Sequence, residues 1–125
     1  MHLVDTCGWI EWVTDSELAP SFAAFLTSTE KLVVPTLVQH ELYKWMCREV
    51  DKPAALSVIA VTQTAKVIPL DTSLALQSAE IAKEFGLAMA DAIIYATARE
   101  ALATLVTSDA HFEKLPNVHY IPKRK

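Results

Sequence analysis

Five short apolar runs recur along the chain with helix-patterned stretches between them, and this alternation constrains the fold more than any other feature. The runs are Met1 to Asp5, with Leu3 and Val4 at its centre, Lys31 to Val34, Lys66 to Leu70, Thr104 to Thr107, and Val118 to Ile121. They read as continuously apolar, not alternating. A strand of that kind is buried on both faces, as in a parallel sheet covered by helices. The intervening stretches carry apolar residues at helical spacing. One passes through Trp9, Ile10, Trp12 and Val13, and the next runs from about Glu17 to Ser28. Pro35 stops the second run, and Thr36-x-x-Gln39 predicts a capping box that opens a helix carrying Leu37, Val38, Leu42, Trp45 and Met46. Asp51 caps another helix, with Lys52 and Pro53 in its first turn. A long helix from about Thr72 to Phe85 ends at Gly86 in a left-handed position, and a last one spans roughly Ala90 to Leu102. The expectation is one α/β domain over residues 1–125 with a mostly parallel five-stranded sheet.

Composition bounds the rest. The chain has 125 residues, about half of them hydrophobic, enough for one domain with a full core. Cys7 and Cys47 have no metal-ligand spacing and read as small, unbridged residues. No basic segment precedes the first apolar stretch and no run of about 18 uncharged apolar residues occurs, so the expected location is the cytoplasm, with no membrane span. With 15 acids against 11 bases the formal charge is −4, which opposes non-specific binding to nucleic acid.

Most of the acids have ordinary places. Glu80, Glu84, Glu100 and Glu113 fit solvated helix faces, and Asp15, Asp51 and Asp71 fit caps or turns. Four others stand apart. Asp5 ends the first strand and Asp109 follows the fourth with one residue between. Ligands of open α/β sheets gather at such carboxyl ends, where strand order reverses. Asp91 has Leu87, Ala88, Ile94 and Tyr95 as its helical neighbours, none of them charged, and a carboxylate so enclosed must be neutralised, paired or metal-bound. Glu41 lies early on the helix after the second strand, within reach of Lys44. Each has a plainer reading alone: Asp5 and Asp109 as caps, Asp91 as the cap of a helix starting at Ala92, Glu41 as a surface residue. Their combination points to one carboxylate cluster.

Four carboxylates brought together repel unless a cation lies among them. Mg²⁺ prefers oxygen ligands and keeps several waters, and Mn²⁺ suits the same donors. His2, His40, His111 and His119 lack zinc-ligand spacing, and His111 reads as a surface residue. An ion on carboxylates suits phosphodiester hydrolysis, because it acidifies water and stabilises the charge on phosphoryl and leaving oxygens. Two divalent ions would also cancel the four site charges. Lys44, Arg48, Lys52, Arg99 and the Lys123-Arg124-Lys125 tail are then candidate phosphate contacts. With only Gly8 and Gly86 present, a P-loop and a dinucleotide fingerprint are both excluded.

Val4-Asp5-Thr6, Pro35-Thr-Leu-Val-Gln-His-Glu41, Ala90-Asp91-Ala92 and Leu105-Val-Thr-Ser-Asp109-Ala-His-Phe112, in this order, resemble the PIN domain, and within it the VapC-type toxins of toxin–antitoxin pairs. The resemblance implies a three-layer α/β/α PIN-like fold with strand order 3-2-1-4-5. It implies a Mg²⁺- or Mn²⁺-dependent endoribonuclease whose metal-binding acids are Asp5, Asp91, Asp109 and Glu41, supported by the hydroxyls of Thr6 and Thr107. The implied partners are an RNA substrate and a small antitoxin, with a homodimer as a further expectation. The sequence departs from the family at Cys7-Gly8, where small polar or branched residues are more usual, and at Ala110-His111, where relatives often carry another acid or amide. Trp9, Trp12, Phe22, Phe25 and Trp45 provide more aromatic surface than a small core needs, which fits a groove for a partner's amphipathic segment. The rival readings are a housekeeping RNA-processing nuclease and an inactive PIN-like interaction module. A haloacid-dehalogenase-like phosphatase is disfavoured because Asp5-Thr6-Cys7 lacks a second aspartate.

Overall fold

A computed structural model describes residues 1–123; Arg124 and Lys125, the end of the basic tail, lie outside the described residues. The strands are β1 (His2–Val4), β2 (Leu32–Pro35), β3 (Lys66–Ile68), β4 (Thr104–Thr107) and β5 (Val118–Tyr120). The helices are α1 (Thr6–Val13), α2 (Ala19–Leu26), α3 (Thr36–Glu49), α4 (Lys52–Thr62), α5 (Thr72–Phe85) and α6 (Met89–Glu100). The sheet order is β3-β2-β1-β4-β5, and every pairing in it is parallel. Leu3, Val4, Val33, Val34, Leu105 and Val106 are wholly buried, as a sheet sandwiched between helices requires. The helices pack in pairs, α1 with α2, α3 with α4, and α5 with α6. The chain moves outward from β1 to β3 and then crosses back through α5 and α6 to β4, and with the usual right-handed crossovers this puts helices on both faces of the sheet.

That crossing puts the reversal of strand order at β1, between β2 and β4. His2, Leu3 and Val4 stand opposite Thr104, Leu105 and Val106, and Asp5 N continues the ladder to Val106 O at 2.9 Å. The carboxyl ends of β1 and β4 therefore open side by side. Gly8 is the residue that lets α1 sit this close. A Cβ there would come within 2.6 Å of Phe22 and of Val4 Cγ1.

Several local expectations change. Pro35 does not stop β2 before it; it is the strand's last residue, opposite Ile68, where a missing N–H is tolerated, and its extended ψ of 146° makes it the N-cap residue of α3. The capping box is consequently absent. Thr36 is already helical and its Oγ1 accepts from Leu70 N at 3.3 Å, while Gln39 Nε2 donates to Thr62 Oγ1 and Gln63 Oε1 at the end of α4. β3 ends at Ile68 because Pro69 cannot extend the ladder. The helix expected from Glu17 begins at Ala19, with Pro20 in its first turn. Asp51 and Asp71 cap α4 and α5 through Ala54 N and Leu74 N. Gly86 closes α5 at φ 67°. α6 begins at Met89, so Asp91 lies inside its first turn and does not cap it.

Candidate metal centre

Asp5 directly follows β1 and caps α1. Its Oδ1 accepts from Thr6 N at 2.8 Å and its Oδ2 from Thr107 Oγ1 at 2.8 Å. The residue is almost wholly buried. That burial pushes its carboxyl up to about 6, against the pull of the hydrogen bonds from Thr107 and Thr6, with the charges of Glu41 and Asp109 pushing the same way as burial. The capping role expected for Asp5 is thus real, but it leaves each oxygen a second lone pair. Thr107 Oγ1 also accepts from Asp109 N at 2.9 Å, so one buried hydroxyl ties the ends of β1 and β4 together.

Asp109 caps the short 3₁₀ turn Ala110–Phe112, its Oδ1 accepting from His111 N at 2.9 Å. Asp91 faces it from the first turn of α6. Burial, then the Asp109 charge, raises the Asp91 carboxyl, with His111 opposing. Glu41 comes from the second turn of α3, where its Oε1 accepts from Thr6 Oγ1 at 2.7 Å. Thr6 therefore links α1 to α3, and Glu41 is engaged there and not with Lys44. Among the described residues no lysine or arginine is in ion-pair contact with any of the four acids.

The four acids share one open cleft of about 510 Å³, walled by α1, α3 and α6. His40, Lys44, Trp45 and Arg48 line it from α3. The cleft thus has an acidic floor and one wall bearing cations. Lys44 and Arg48 are brought to it; Lys52, which opens α4, and Arg99, eight residues beyond Asp91 along α6, are not among its lining residues. Lys123 instead lines an adjoining depression with Ser108, Asp109 and Tyr120.

His111, read as a surface residue, is at the surface but also in contact with the acids. His111 is exposed, yet its Nδ1 is 3.1 Å from Asp91 Oδ2 and 3.2 Å from Asp109 Oδ1. One donor atom each from Asp91, Asp109 and His111 lie within 4.8 Å of one another. The absence of ligand spacing among the histidines concealed this, because the partners are two aspartates. The signal was local: an aspartate capping a 3₁₀ turn holds the residue two positions later against its own carboxylate. Cys7 Sγ lies 3.8 Å from Asp5 Oδ2 and accepts weakly from Ser108 N, and burial and the Asp5 charge push its thiol up to about 11. It is a neutral packing residue beside the acids.

These donors fit a hard divalent cation. Asp91, Asp109 and His111 bring two carboxylates and one imidazole together, while Asp5 and Glu41 line the same cleft outside that close group, and Asp5 is buried without a basic partner among the described residues.

The family model described as the PIN domain matches residues 2–118. The chain belongs to the PIN domain family. This PIN domain is similar in structure to a toxin–antitoxin complex from Klebsiella pneumoniae, at 21% identity over 97% of this chain and 100% of that one, with a TM-score of 0.81. It is also similar to Mycobacterium tuberculosis VapC20, described as a sarcin-ricin loop cleaving toxin, at 18% identity over 98% of this chain and 100% of that one, TM-score 0.78. A third similar structure is VapBC2 from Rickettsia felis bound to a DNA fragment from their promoter, at 16% identity over 97% of each chain, TM-score 0.74. At these identities the likeness is one of fold. No curated protein sequence matches the chain. Among the described residues no helix is long and apolar enough to cross a membrane.

Proposed function

We propose that this PIN domain is a Mg²⁺- or Mn²⁺-dependent endoribonuclease and the toxin of a type II toxin–antitoxin pair acting in the cytoplasm. The observation that carries the reading is the convergence of Asp5, Glu41, Asp91 and Asp109 on one cleft, with the innermost carboxylate buried and no lysine or arginine, among the described residues, neutralising any of them. Asp5, Asp91 and Asp109, with Glu41 beside them, are the residues that would hold the ion. When bound, the ion supplies a water acidified for attack and charge stabilisation at the phosphoryl oxygens.

The chain's own groups do the rest. Thr107 holds the Asp5 carboxylate in a fixed rotamer, and Thr6 does the same for Glu41. Lys44 and Arg48, one helical turn apart on α3, stand where a polyanion entering the cleft meets positive charge first. This local asymmetry answers the objection raised by the overall charge of −4. RNA is the proposed substrate because Trp45 and His40 on the same wall offer rings for unstacked bases, which single-stranded RNA presents more readily than duplex.

An antitoxin is supported by a second feature, an apolar groove of about 530 Å³ between α1, α3 and α4, lined by Trp12, Val13, Met46, Ala54, Val58 and Val61. An amphipathic helix docks in such grooves. The fully buried Trp9 and Phe22 are core, so of the five aromatics singled out in the sequence only Trp12 contributes to this groove.

The test is an RNA cleavage assay with and without Mn²⁺, run beside Asp5→Asn. Cleavage that needs the ion and is lost in the variant is expected. Cleavage that survives chelation, or equal rates for both proteins, would overturn the proposal.

A further inference from the structure

The placement of His111 beside the acids is specific. The ring is exposed, and an exposed histidine gains little from turning toward acids across water. Here it is held. Thr107 Oγ1 accepts from Asp109 N at 2.9 Å and Asp109 Oδ1 accepts from His111 N at 2.9 Å, so the backbone carrying the ring is anchored to the end of β4. Nδ1 then lies 3.1 Å from Asp91 and 3.2 Å from Asp109, residues on two different elements. Those separations match the edge of an octahedron. For bonds of about 2.1–2.2 Å, neighbouring ligand atoms stand about 3.0 Å apart. Two of the three donor separations are those of adjacent ligands of one ion, and all three donor atoms lie within 4.8 Å of one another.

Resting on the reading of the cleft as a metal centre, we infer that His111 is a nitrogen ligand of the ion held by Asp91 and Asp109 and that it biases that position toward Mn²⁺ over Mg²⁺. Mg²⁺ binds oxygen almost exclusively and gives up water reluctantly, so an imidazole in its shell is a poor exchange for a water. First-row transition ions take imidazole readily. Two carboxylates with one imidazole therefore discriminate where carboxylates alone do not. His111 acts on ion selectivity, with Asp5 and Glu41 left as oxygen donors.

The experiment measures binding, not cleavage. Mn²⁺ and Mg²⁺ affinities of the full chain are taken by calorimetry at one neutral pH, and the electron spin echo modulation of bound Mn²⁺ is recorded for wild type, His111→Asn and His40→Asn. Wild type is expected to show the modulation of a coordinated nitrogen, retained in His40→Asn and lost in His111→Asn. The affinity of His111→Asn for Mn²⁺ should fall at least about tenfold while that for Mg²⁺ stays within about threefold. The His40 variant is needed because that residue lines the same cleft. Nitrogen modulation that is absent in wild type or persists in His111→Asn overturns this inference alone, as does an equal loss for both ions. Wild-type protein that binds neither ion overturns the metal-centre reading beneath it.

Discussion

Asp5 offers the sharpest quantitative test, because its burial sets opposite signs for metal-free stability and for activity. Its carboxyl titrates at about 6 in the fold against 3.8 when unperturbed, with desolvation the largest cause. Two units at about 1.4 kcal/mol each make ionising Asp5 in the metal-free fold unfavourable by about 3 kcal/mol. The folded pKa is the higher one, so the native state holds the proton more tightly than the unfolded chain. The associated stability is complete below about 4 and is lost as pH rises through about 6. Asp5→Asn mimics the protonated acid at every pH. Its amide oxygen can still accept from Thr6 N, but its NH₂ takes the place of Oδ2, so the Thr107 hydroxyl loses the oxygen to which it donates. That mismatch costs about 1 kcal/mol. The net expectation at neutral pH, with chelator present, is a variant more stable by about 2 kcal/mol. For a chain of 125 residues this is a rise in Tm of about 8 °C.

Thermal unfolding followed by circular dichroism from pH 4 to 8 in chelator reads this directly. The difference between the two proteins isolates Asp5, since Asp91 is shifted in the same direction and titrates in both. The two curves should cross: wild type slightly ahead at the acid end, the variant ahead at neutral pH. Adding Mn²⁺ at neutral pH should then raise wild type by more than the variant. Parallel curves, or a variant less stable than wild type at neutral pH without metal, would refute the claim that Asp5 is a buried, uncompensated charge.

Asp91→Asn is expected to lower cleavage more than about hundredfold with an unchanged circular dichroism spectrum, since removal of a direct ligand exceeds the usual effect of losing its support; wild-type turnover in that variant would exclude Asp91 from the site. In the cleavage-dead Asp91→Asn background, Lys44→Ala and Arg48→Ala should each lower the slope of log affinity for single-stranded RNA against log salt by about 0.7, the value for one phosphate contact; an unchanged slope would remove that residue from the RNA path. Gly8→Ala should destabilise by about 1–3 kcal/mol in urea unfolding, because its Cβ would meet Phe22 and Val4 at 2.6 Å; a neutral result would mean that α1 shifts freely against α2.

The strands and the helix series were legible because β-branched apolar runs and helical spacing are local signals, whereas the strand order came only from the family resemblance, since local signals do not say which strands become neighbours. The reading failed where a local signal met a tertiary competitor. Thr36-x-x-Gln39 has the letters of a capping box, yet Pro35 supplies the extended cap residue and Gln39 is drawn 23 residues away to Thr62. Pro35 reads as a strand stop, but the carboxyl end of a strand tolerates a missing donor. At the site, Asp5 and Asp109 were visible from strand ends alone. Their hydroxyl partners were visible only by family likeness, because the Thr107–Asp5 bond spans 102 positions. The contact of His111 with Asp109 had a local signal two residues away that was not used, whereas nothing in sequence sets Asp91, 20 residues earlier, beside it. Among the bases, Lys44 and Arg48 share the α3 face that lines the cleft, whereas helix periodicity gave no reason to set Lys52 or Arg99 apart from them.

A cluster of acids this tight is tolerated in the fold because the same backbone geometry that gathers them also offsets part of their repulsion. The parallel sheet delivers strand carboxyl ends, and each is followed at once by a helix or a 3₁₀ turn. Asp5 is the N-cap of α1, Asp109 the N-cap of the turn after β4, and Asp91 lies in the first turn of α6. The Asp5 and Asp109 carboxylates therefore accept from backbone N–H groups and Asp91 lies at a helix N-terminus, where negative charge is favoured by about 0.3–1 kcal/mol. That is less than the roughly 3 kcal/mol opposing ionisation of Asp5, so capping eases the strain without removing it. The capping bonds to Asp5 and Asp109 also restrict orientation, because an oxygen committed to a backbone amide fixes the rotamer of a residue that lines the cleft. A site held this way needs little rearrangement to take up an ion, and the residual unfavourable charge is what makes binding it favourable.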